Sequence, residues 1–435
     1  MRAWTPEEES NMTRMSAIQS ASRAKAEADA AWAEVDRLMA GVVDEKLNAA
    51  TPPRLRIVGD TPTGLYADDM KRAMRTLAAI VNGEPAVFAN VLLTRKHGRV
   101  MASATNYDST VDIPVGYDEG TDCSAMLSGA SLSRVIHGAQ CCTGPGGMRM
   151  DVTTCEAVFS HGPTTYTVPL AGNVTDWPTA HEFTSRAKLD CQRDVLASAW
   201  KRTAKMRSKD KARTNILGVH VRLCPLGVRL EATNGHMAQR LEMAGVLTSE
   251  PVDFVVCGKA VEAVTWFLAE GEDRITIEAG TMAARFINGD AVLTVLEEGA
   301  PFPNIDFLVT AETSGMRYVD RKAVLKAIGK SPKSGVNVTL AACGSAISLQ
   351  VHDNGTGVGC AQHTISTHDG PDWHVLVAAH YLHAALSALA DSRVHVGLTS
   401  DGYLYLNDAE CMIVVCNIKE SDPEPAEQEA HHASA

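Results

Sequence analysis

The chain has 435 residues, of which 45% are apolar, and its formal net charge is -12. This length exceeds one ordinary hydrophobic core and predicts about three domains. The acidic balance excludes a protein that coats nucleic acid with its whole surface, but it allows a local basic surface. The sequence has no apolar run of about 20 residues and no signal-peptide pattern, so we expect a cytoplasmic protein.

The cysteines agree with an intracellular location. Their number is odd, 11, no CxxC spacing occurs, and Cys141 and Cys142 form the only adjacent pair. Reduced, buried thiols are therefore favoured over a disulfide framework or a zinc site. We expect neither a metal ion nor a cofactor.

The two ends of the chain differ from its middle. Residues 1–53 are rich in Ala, Glu, Ser and Arg. A helix is predicted there, because Trp32, Val35 and Leu38 fall on one apolar stripe before NAATPPR breaks the pattern. Residues 420–435 contain no apolar side chain larger than Ala, which predicts a disordered acidic tail.

Between these ends the same order of elements recurs three times, which predicts three similar α+β domains. Each repeat begins with a helix that carries basic residues, continues through alternating strands and a second helix, and closes with more strands. We place the domains at residues 54–182, 183–312 and 313–419. The first helices are predicted over residues 68–81, 190–206 and 319–330.

The first helix of each repeat combines an apolar face with a basic face. At about 100° per residue, the apolar faces are Met70, Met74, Leu77 and Val81; Val195, Leu196, Ala199 and Thr203; and Val324, Leu325 and Ile328. The opposite, basic helix faces comprise Lys71, Arg72 and Arg75; Lys201, Arg202 and Lys205; and Lys322, Lys326 and Lys330. A single basic face is usually only solvated, but its threefold recurrence favours a phosphate-binding surface without base readout.

Five segments of the sequence resemble one known family. They are ARTNILGVHVRLCPLGVRLEATNGHMAQ (212–239), FPNIDFLV (302–309), VDRKAVLKAI, VAAHYLHAALSAL and AECMIVVCNIK (409–419). In content and order these segments resemble the bacterial beta sliding clamps, the beta-subunit family of DNA polymerase III, in a bacterial or phage-type form. The resemblance spans about residues 54–419, and the 212–239 segment is its most specific part.

The resemblance implies a ring-shaped, head-to-tail homodimer with three similar domains per subunit, helices inside and antiparallel sheets outside. Such a ring encircles duplex DNA without sequence specificity and tethers a replicative DNA polymerase after a clamp loader has loaded it. The basic helix faces would then line the channel, where contacts spread over the phosphates permit sliding.

The resemblance also implies a pocket between the second and third domains, which receives short apolar peptides from the polymerase and the clamp loader. Carried over position by position, its walls are Ile216, Thr233, Gly235, His236, Met237, Pro303, Leu308, Val414, Cys416 and Ile418. Asn234, Met237 and Ala238 depart from the family's Asp-Gly-His-Arg-Leu pattern, and Phe307 stands where a basic residue is common. These departures predict an altered peptide preference.

Other interpretations stay open. His236 could be the general base of an intracellular enzyme, but no carboxylate or cysteine accompanies it at a recognisable spacing. His374, His380 and His383 could ligate a metal, although helical histidines without that role are more common. Because the pocket residues are altered, a clamp-like scaffold or decoy that binds replication partners without being loaded is a further alternative.

Overall fold

The computed structural model describes most of the chain between residues 64 and 418. The described residues are 64–65, 67–81, 86–140, 147–178, 182–247, 250–256, 258, 260–297, 300–329, 335–352 and 361–418. All of them belong to the unit Pro62–Ala435. The predicted helix around Trp32 and the predicted acidic tail lie outside the described residues. Among the helices that are described, none is long and apolar enough to cross a membrane.

Seven α-helices lie in the described part of the chain. They are α1 (Ala67–Ile80), α2 (Gly129–Gln140), α3 (Arg193–Ala204), α4 (Ala260–Phe267), α5 (Asp306–Val309), α6 (Arg321–Ile328) and α7 (Ala379–Ala388). Short 3-10 helices lie at Ala86–Ala89, Val174–Asp176 and Thr214–Ile216. The predicted first helices of the three repeats are α1, α3 and α6, and each end falls within three residues of its expected position.

Twenty-five strands accompany these helices in the described residues. They are β1 (Gly64–Leu65), β2 (Asn90–Lys96), β3 (Arg99–Thr105), β4 (Ser109–Tyr117), β5 (Cys123–Ser128), β6 (Arg149–Val152), β7 (Glu156–His161), β8 (Thr164–Pro169), β9 (Ala187–Gln192), β10 (Val219–Cys224), β11 (Gly227–Thr233), β12 (Met237–Ala244), β13 (Val246–Leu247), β14 (Val252–Val256), β15 (Arg274–Ala279), β16 (Ala283–Asn288), β17 (Ala291–Leu296), β18 (Thr313–Asp320), β19 (Asn337–Cys343), β20 (Ala346–His352), β21 (Ala361–Ser366), β22 (Trp373–Ala378), β23 (Arg393–Thr399), β24 (Leu404–Asn407) and β25 (Cys411–Val415). Burial alternates along most of them, as in β4, because successive side chains point to opposite faces of a sheet.

The elements follow the same order three times, which confirms the predicted repeated α+β class. The first repeat contains β1–β8 with α1 and α2, the second β9–β17 with α3 and α4, and the third β18–β25 with α6 and α7. The expected boundaries after residues 182 and 312 lie in the segments that connect the repeats, and they stay predictions.

Two antiparallel sheets cross the junctions between repeats. The larger has the order β13-β9-β15-β16-β17-β4-β3-β2-β5, with β1 paired to β4, and the second has the order β14-β10-β11-β12-β25-β24-β23-β18. The junctions are the β17–β4 pair, with Leu293 opposite Val111, and the β12–β25 pair, with Ala238 opposite Val414. Two smaller sheets, β21-β20-β19-β22 and β6-β7-β8, belong to the third and first repeats.

The six longer helices pack in one row against these sheets. The order of contacts is α2, α1, α4, α3, α7 and α6. The first helices of the repeats therefore occupy every second place in the row. Because each helix buries an apolar stripe, its remaining side chains are left for solvent.

The core of the second repeat corrects one prediction about α3. Trp200 is fully buried, donates from Nε1 to the carbonyl oxygen of Val261 at 3.1 Å and packs edge-to-face on Phe286. The buried stripe of α3 is thus Leu196, Ala199, Trp200 and Thr203. Val195, expected on this stripe, is 40% exposed, because a stripe centred on Trp200 turns it outwards.

Candidate functional site

The turn between β11 and β12 is shaped by Asn234. Its Oδ1 accepts hydrogen bonds from the backbone N–H groups of His236 and Met237, each at 2.9 Å. The Thr233 hydroxyl donates to the carbonyl oxygen of Met237 at 2.7 Å. Gly235 has a φ of 88°, a conformation that glycine adopts without steric cost. The turn therefore holds His236 exposed at its tip.

This turn is attached to the third repeat. The carbonyl oxygen of His236 accepts from the N–H of Cys416 at 2.9 Å, and its ring stacks on Tyr381 of α7 with centroids 5.1 Å apart. A Cβ on Gly235 would lie 2.8 Å from Nη1 of Arg213, so Arg213 also lies against the turn. We call Arg213, Gly235, His236, Tyr381 and Cys416 the turn cluster.

A second group of side chains is apolar and lies where β12, β24 and β25 meet α5. Ala238, Ile305, Val309, Tyr405 and Val414 are buried together, and Phe302, Leu308, Met316, Tyr403 and Met412 pack around them. We call these ten residues the apolar cluster. From α5, Leu308 is half-exposed and Phe307 is 65% exposed, so this short helix presents apolar surface to solvent.

The predicted pocket residues are distributed over these two clusters and their surroundings. Gly235, His236 and Cys416 belong to the turn cluster, whereas Leu308 and Val414 belong to the apolar cluster. The backbone N–H of Ile418 donates to the carbonyl oxygen of Leu376 at 2.8 Å. Thr233 and Ile216 are buried, and Pro303 is half-buried next to Phe302. The β12–β25 ladder joins the clusters, since Ala238 faces Val414 two residues before Cys416.

Met237 does not belong with the other predicted pocket walls. It is 4% exposed and lies in the large hydrophobic core to which all three repeats contribute, here called the principal core. Its side chain is on the face of β12 opposite to Ala238. Neighbouring residues of a strand point to opposite faces, so the pairs Met237–Val415 and Ala238–Val414 are separated by the sheet. Ala238, and not Met237, is therefore the side chain of this pair that faces the apolar cluster.

A chain of charged side chains that spans four strands of this sheet and α5 was not predicted from the sequence. Arg240 forms an ion pair with Asp306 and donates from Nε to Glu231 Oε1 at 2.6 Å. The other oxygen of Glu231 lies 2.8 Å from His220 Nδ1, and His220 Nε2 lies 3.1 Å from Asp253 Oδ2. We call Asp306, Arg240, Glu231, His220 and Asp253 the ionic chain.

The ionic chain shifts the pKa of its members. Burial disfavours charge on His220, but hydrogen bonds with Glu231 and Asp253 outweigh it and raise the His220 pKa. Burial likewise opposes charge on Glu231, yet its cationic partners lower the pKa of that carboxyl. The hydrogen bond from Arg240 lowers the pKa of Asp306. An open cleft of about 420 Å³ borders the ionic chain. The cleft is also lined by Phe302 and by other residues that connect the second and third repeats.

Most of the predicted basic helix faces are exposed. Lys71 and Arg75 on α1, Lys201 and Lys205 on α3, and Lys322 and Lys326 on α6 are exposed; Arg75 pairs with Glu270 at 3.1 Å. Lys330 and the side chain of Arg72 lie outside what the structure describes.

Arg202 differs from the other basic residues of its helix. Its side chain is 15% exposed, and it donates to the carbonyl oxygen of Ala388 at 3.5 Å and to Glu410 at 3.1 Å. Arg202 is therefore better described as a link between the second and third repeats than as a phosphate contact, because its guanidinium is already engaged.

Solved structures share this fold, although no family model and no curated protein matches the sequence. The DNA polymerase III subunit beta from Pseudomonas aeruginosa is 16% identical with a TM-score of 0.71, over 82% of this chain and 99% of that one. The beta subunit from Thermotoga maritima is 16% identical with a TM-score of 0.71, over 83% and 100%. The Helicobacter pylori beta clamp bound to a DNA ligase peptide is 10% identical with a TM-score of 0.69, over 82% and 99%. The chain thus has the sliding-clamp fold that the resemblance implies.

The placement of Met237 can be checked by its effect on folding. Met237→Ala should lower the free energy of unfolding by about 2–5 kcal/mol, because it leaves a cavity in the principal core. The exposed Met282 offers a matched control, and Met282→Ala should change stability by less than about 0.5 kcal/mol. Chemical denaturation followed by circular dichroism measures both, and equal midpoints would contradict the assignment.

Proposed function

We propose that this chain is a sliding clamp, a non-enzymatic processivity factor that encircles duplex DNA and tethers a replicative DNA polymerase. One observation supports this proposal most strongly. The helices α1, α3 and α6 occupy alternate places in one row of helices, and each of them has exposed lysines. Its partners are duplex DNA, the polymerase, a clamp loader and a second copy of the chain, and it acts in the cytoplasm on the nucleoid.

The charge distribution suits a protein that slides. Exposed lysines attract phosphates without reading bases, and contacts spread along the backbone leave no preferred position on the duplex. The rest of the molecule carries the excess of Asp and Glu that gives the net charge of -12. An acidic exterior repels DNA, so the helix row is the surface on which DNA is favoured.

The strand pairing supports closure of a ring by a second copy. At each junction the last strand of one repeat pairs with the fourth strand of the preceding repeat, as in β17–β4 and β25–β12. The corresponding strands that remain are β8 and β21, each at an edge of its sheet among the described residues. Pairing of β8 with β21 of another copy would repeat the same junction head to tail.

The two clusters between the second and third repeats suit capture of a linear peptide. The apolar cluster, extended by Phe307 and Leu308, can bury apolar anchors, and the turn cluster adds a few polar groups. The structure of the Helicobacter pylori clamp with a DNA ligase peptide is consistent with this mode in a protein of the same fold. The partners of this chain would bind the same region.

Two alternatives to this proposal remain. The first alternative is a scaffold or decoy that is not loaded on DNA, and it stays open because Ala238 and Phe307 stand where other residues are common in the family. The second alternative is an intracellular enzyme centred on a cysteine or His236. Burial raises the pKa of Cys191 and Cys411 to about 12, which disfavours these two thiols as its nucleophile, because a reactive thiol needs a lowered pKa.

Reversal of charge along the helix row should weaken DNA binding. In the triple variant Lys71→Glu, Lys201→Glu and Lys322→Glu, we expect the affinity for a short linear duplex to fall about tenfold or more, with a shallower salt dependence. Fluorescence anisotropy of the labelled duplex measures this affinity. Reversal of Lys96, Arg149 and Arg393, exposed residues on strands, makes the same charge change and should leave the affinity intact. Equal loss of affinity in both variants would contradict the assignment of the basic helix faces to the DNA channel.

Charges of opposite sign introduced on the two edge strands should show whether β8 and β21 pair at the ring junction. The variant Thr165→Glu/Thr167→Glu on β8 and the variant Gln362→Lys/Thr364→Lys on β21 should each sediment mainly as monomers, because unpaired charges disfavour strand pairing. A mixture of the two should regain a dimer, since Glu and Lys then face each other at one junction while the other is native. Sedimentation like the unaltered chain for both variants would exclude this junction.

A charge in the apolar cluster should abolish partner binding. Leu308→Asp is expected to weaken binding of the replicative polymerase about tenfold or more, as loss of an anchor contact does. Surface plasmon resonance with immobilised clamp gives the affinity. Leu226→Asp, at an exposed turn between β10 and β11, is the matched control and should bind normally. Normal binding by Leu308→Asp would place the partner site elsewhere.

A further inference from the structure

The ionic chain contains charges that are costly to bury alone. Arg240 and Glu231 are 4% and 5% exposed, so each needs a partner of opposite charge to offset its lost hydration. Glu231 divides its two oxygens between Arg240 and His220, and Arg240 divides its guanidinium between Glu231 and Asp306. A change in the charge of His220 therefore alters, through Glu231 and Arg240, the electrostatic interaction that holds Asp306.

The geometry of His220 fits the protonated ring. Both ring nitrogens lie within hydrogen-bonding distance of carboxylate oxygens, at 2.8 Å from Glu231 and 3.1 Å from Asp253. A neutral imidazole has a single N–H, so one nitrogen would then face a carboxylate without a proton between them. Among the described residues, the other charged groups around the ring are Arg222 on β10, Arg240 on β12, Glu297 after β17 and Asp306 on α5.

The ionic chain also contacts a segment that contributes to the apolar cluster. Asp306 is the first residue of α5, and Phe302 stacks on His220 with ring centroids 4.9 Å apart and planes 14° from parallel. The segment from Phe302 to Val309 is therefore held on the sheet at two points. Ile305, Leu308 and Val309 of this segment belong to the apolar cluster.

We propose that the ionic chain positions α5 as a wall of the partner pocket, so that affinity for an apolar partner peptide depends on the charge of His220. When His220 loses its proton, Arg240 is the one cation among the described residues that still pairs with Glu231. The contact between Arg240 and Asp306 then weakens. α5 then departs from the position that the apolar anchors require. This inference rests on the proposed function of the pocket.

The sign of the pH dependence follows from the raised pKa of His220. A raised pKa means that the protonated ring stabilises the arrangement, and that this stabilisation is lost as the pH rises through the pKa in the folded protein. Peptide affinity should therefore be highest at mildly acidic pH and fall above the usual histidine range. Glu231 and Asp306 have lowered pKa values and stay ionised throughout this window.

Two measurements on the full chain test the proposal. Binding of a fluorescein-labelled peptide with Leu and Phe anchors should weaken roughly threefold to tenfold between about pH 6 and about pH 9. Hydrogen exchange of the amides of α5 in the free protein, corrected for intrinsic rates, should show lower protection over the same interval. The second readout requires no partner.

Three variants separate positioning from a general loss of structure. His220→Gln should remove the pH dependence of both readouts and bind as weakly at acidic pH as the unaltered chain does at alkaline pH. Asp306→Asn should lower the affinity for the peptide at every pH, and it leaves the buried residues of the ionic chain unaltered. Glu242→Gln, which alters an exposed pair with Arg229 on the same strands, should keep the native pH profile.

The outcomes distinguish this inference from the function on which it rests. Identical pH profiles of α5 protection in the unaltered chain and in His220→Gln would overturn the inference, whether or not a peptide binds. Failure of every peptide to bind at any pH, with α5 protection still falling as His220 deprotonates, would instead refute the partner pocket.

Discussion

The fold depends on backbone hydrogen bonding between strands of different repeats. Because β17 pairs with β4 and β25 with β12, two sheets run without interruption across the junctions. A ladder fixes both distance and register, so the position of each repeat follows from that of its neighbour. The helix row, the basic helix faces and the two clusters around the β12–β25 ladder all derive their positions from these two strand pairs.

The same arrangement separates the two surfaces to which we assign DNA binding and partner binding. The basic helix faces need only exposed cations at repeated intervals, a requirement that tolerates many sequences. The apolar cluster needs specific neighbours from the second repeat, the third repeat and α5. Arg202 lies between them, because it extends from the basic helix α3 to Ala388 and Glu410 of the third repeat.

Local patterns predicted the helices well and the side-chain environment less well. The helical period placed Met70, Leu77 and Ile328 in the core correctly, since those stripes are wide and regular. It misplaced Val195, because Trp200 recentres the buried stripe of α3. Met237 was assigned through a resemblance, which cannot tell which face of β12 a substituted residue occupies. His220, Glu231 and Arg240 lie on three strands, and their proximity depends on a register that spacing along the chain does not reveal.

The alternation along β12 and β25 has an evolutionary consequence. Ala238 and Val414 belong to the apolar cluster, while Met237 and Val415, one position away, belong to the principal core. A substitution on one face meets other neighbours than a substitution on the opposite face, so the residues of the apolar cluster can change while those of the principal core are kept. This separation is one way in which chains that are only 10–16% identical can share a fold.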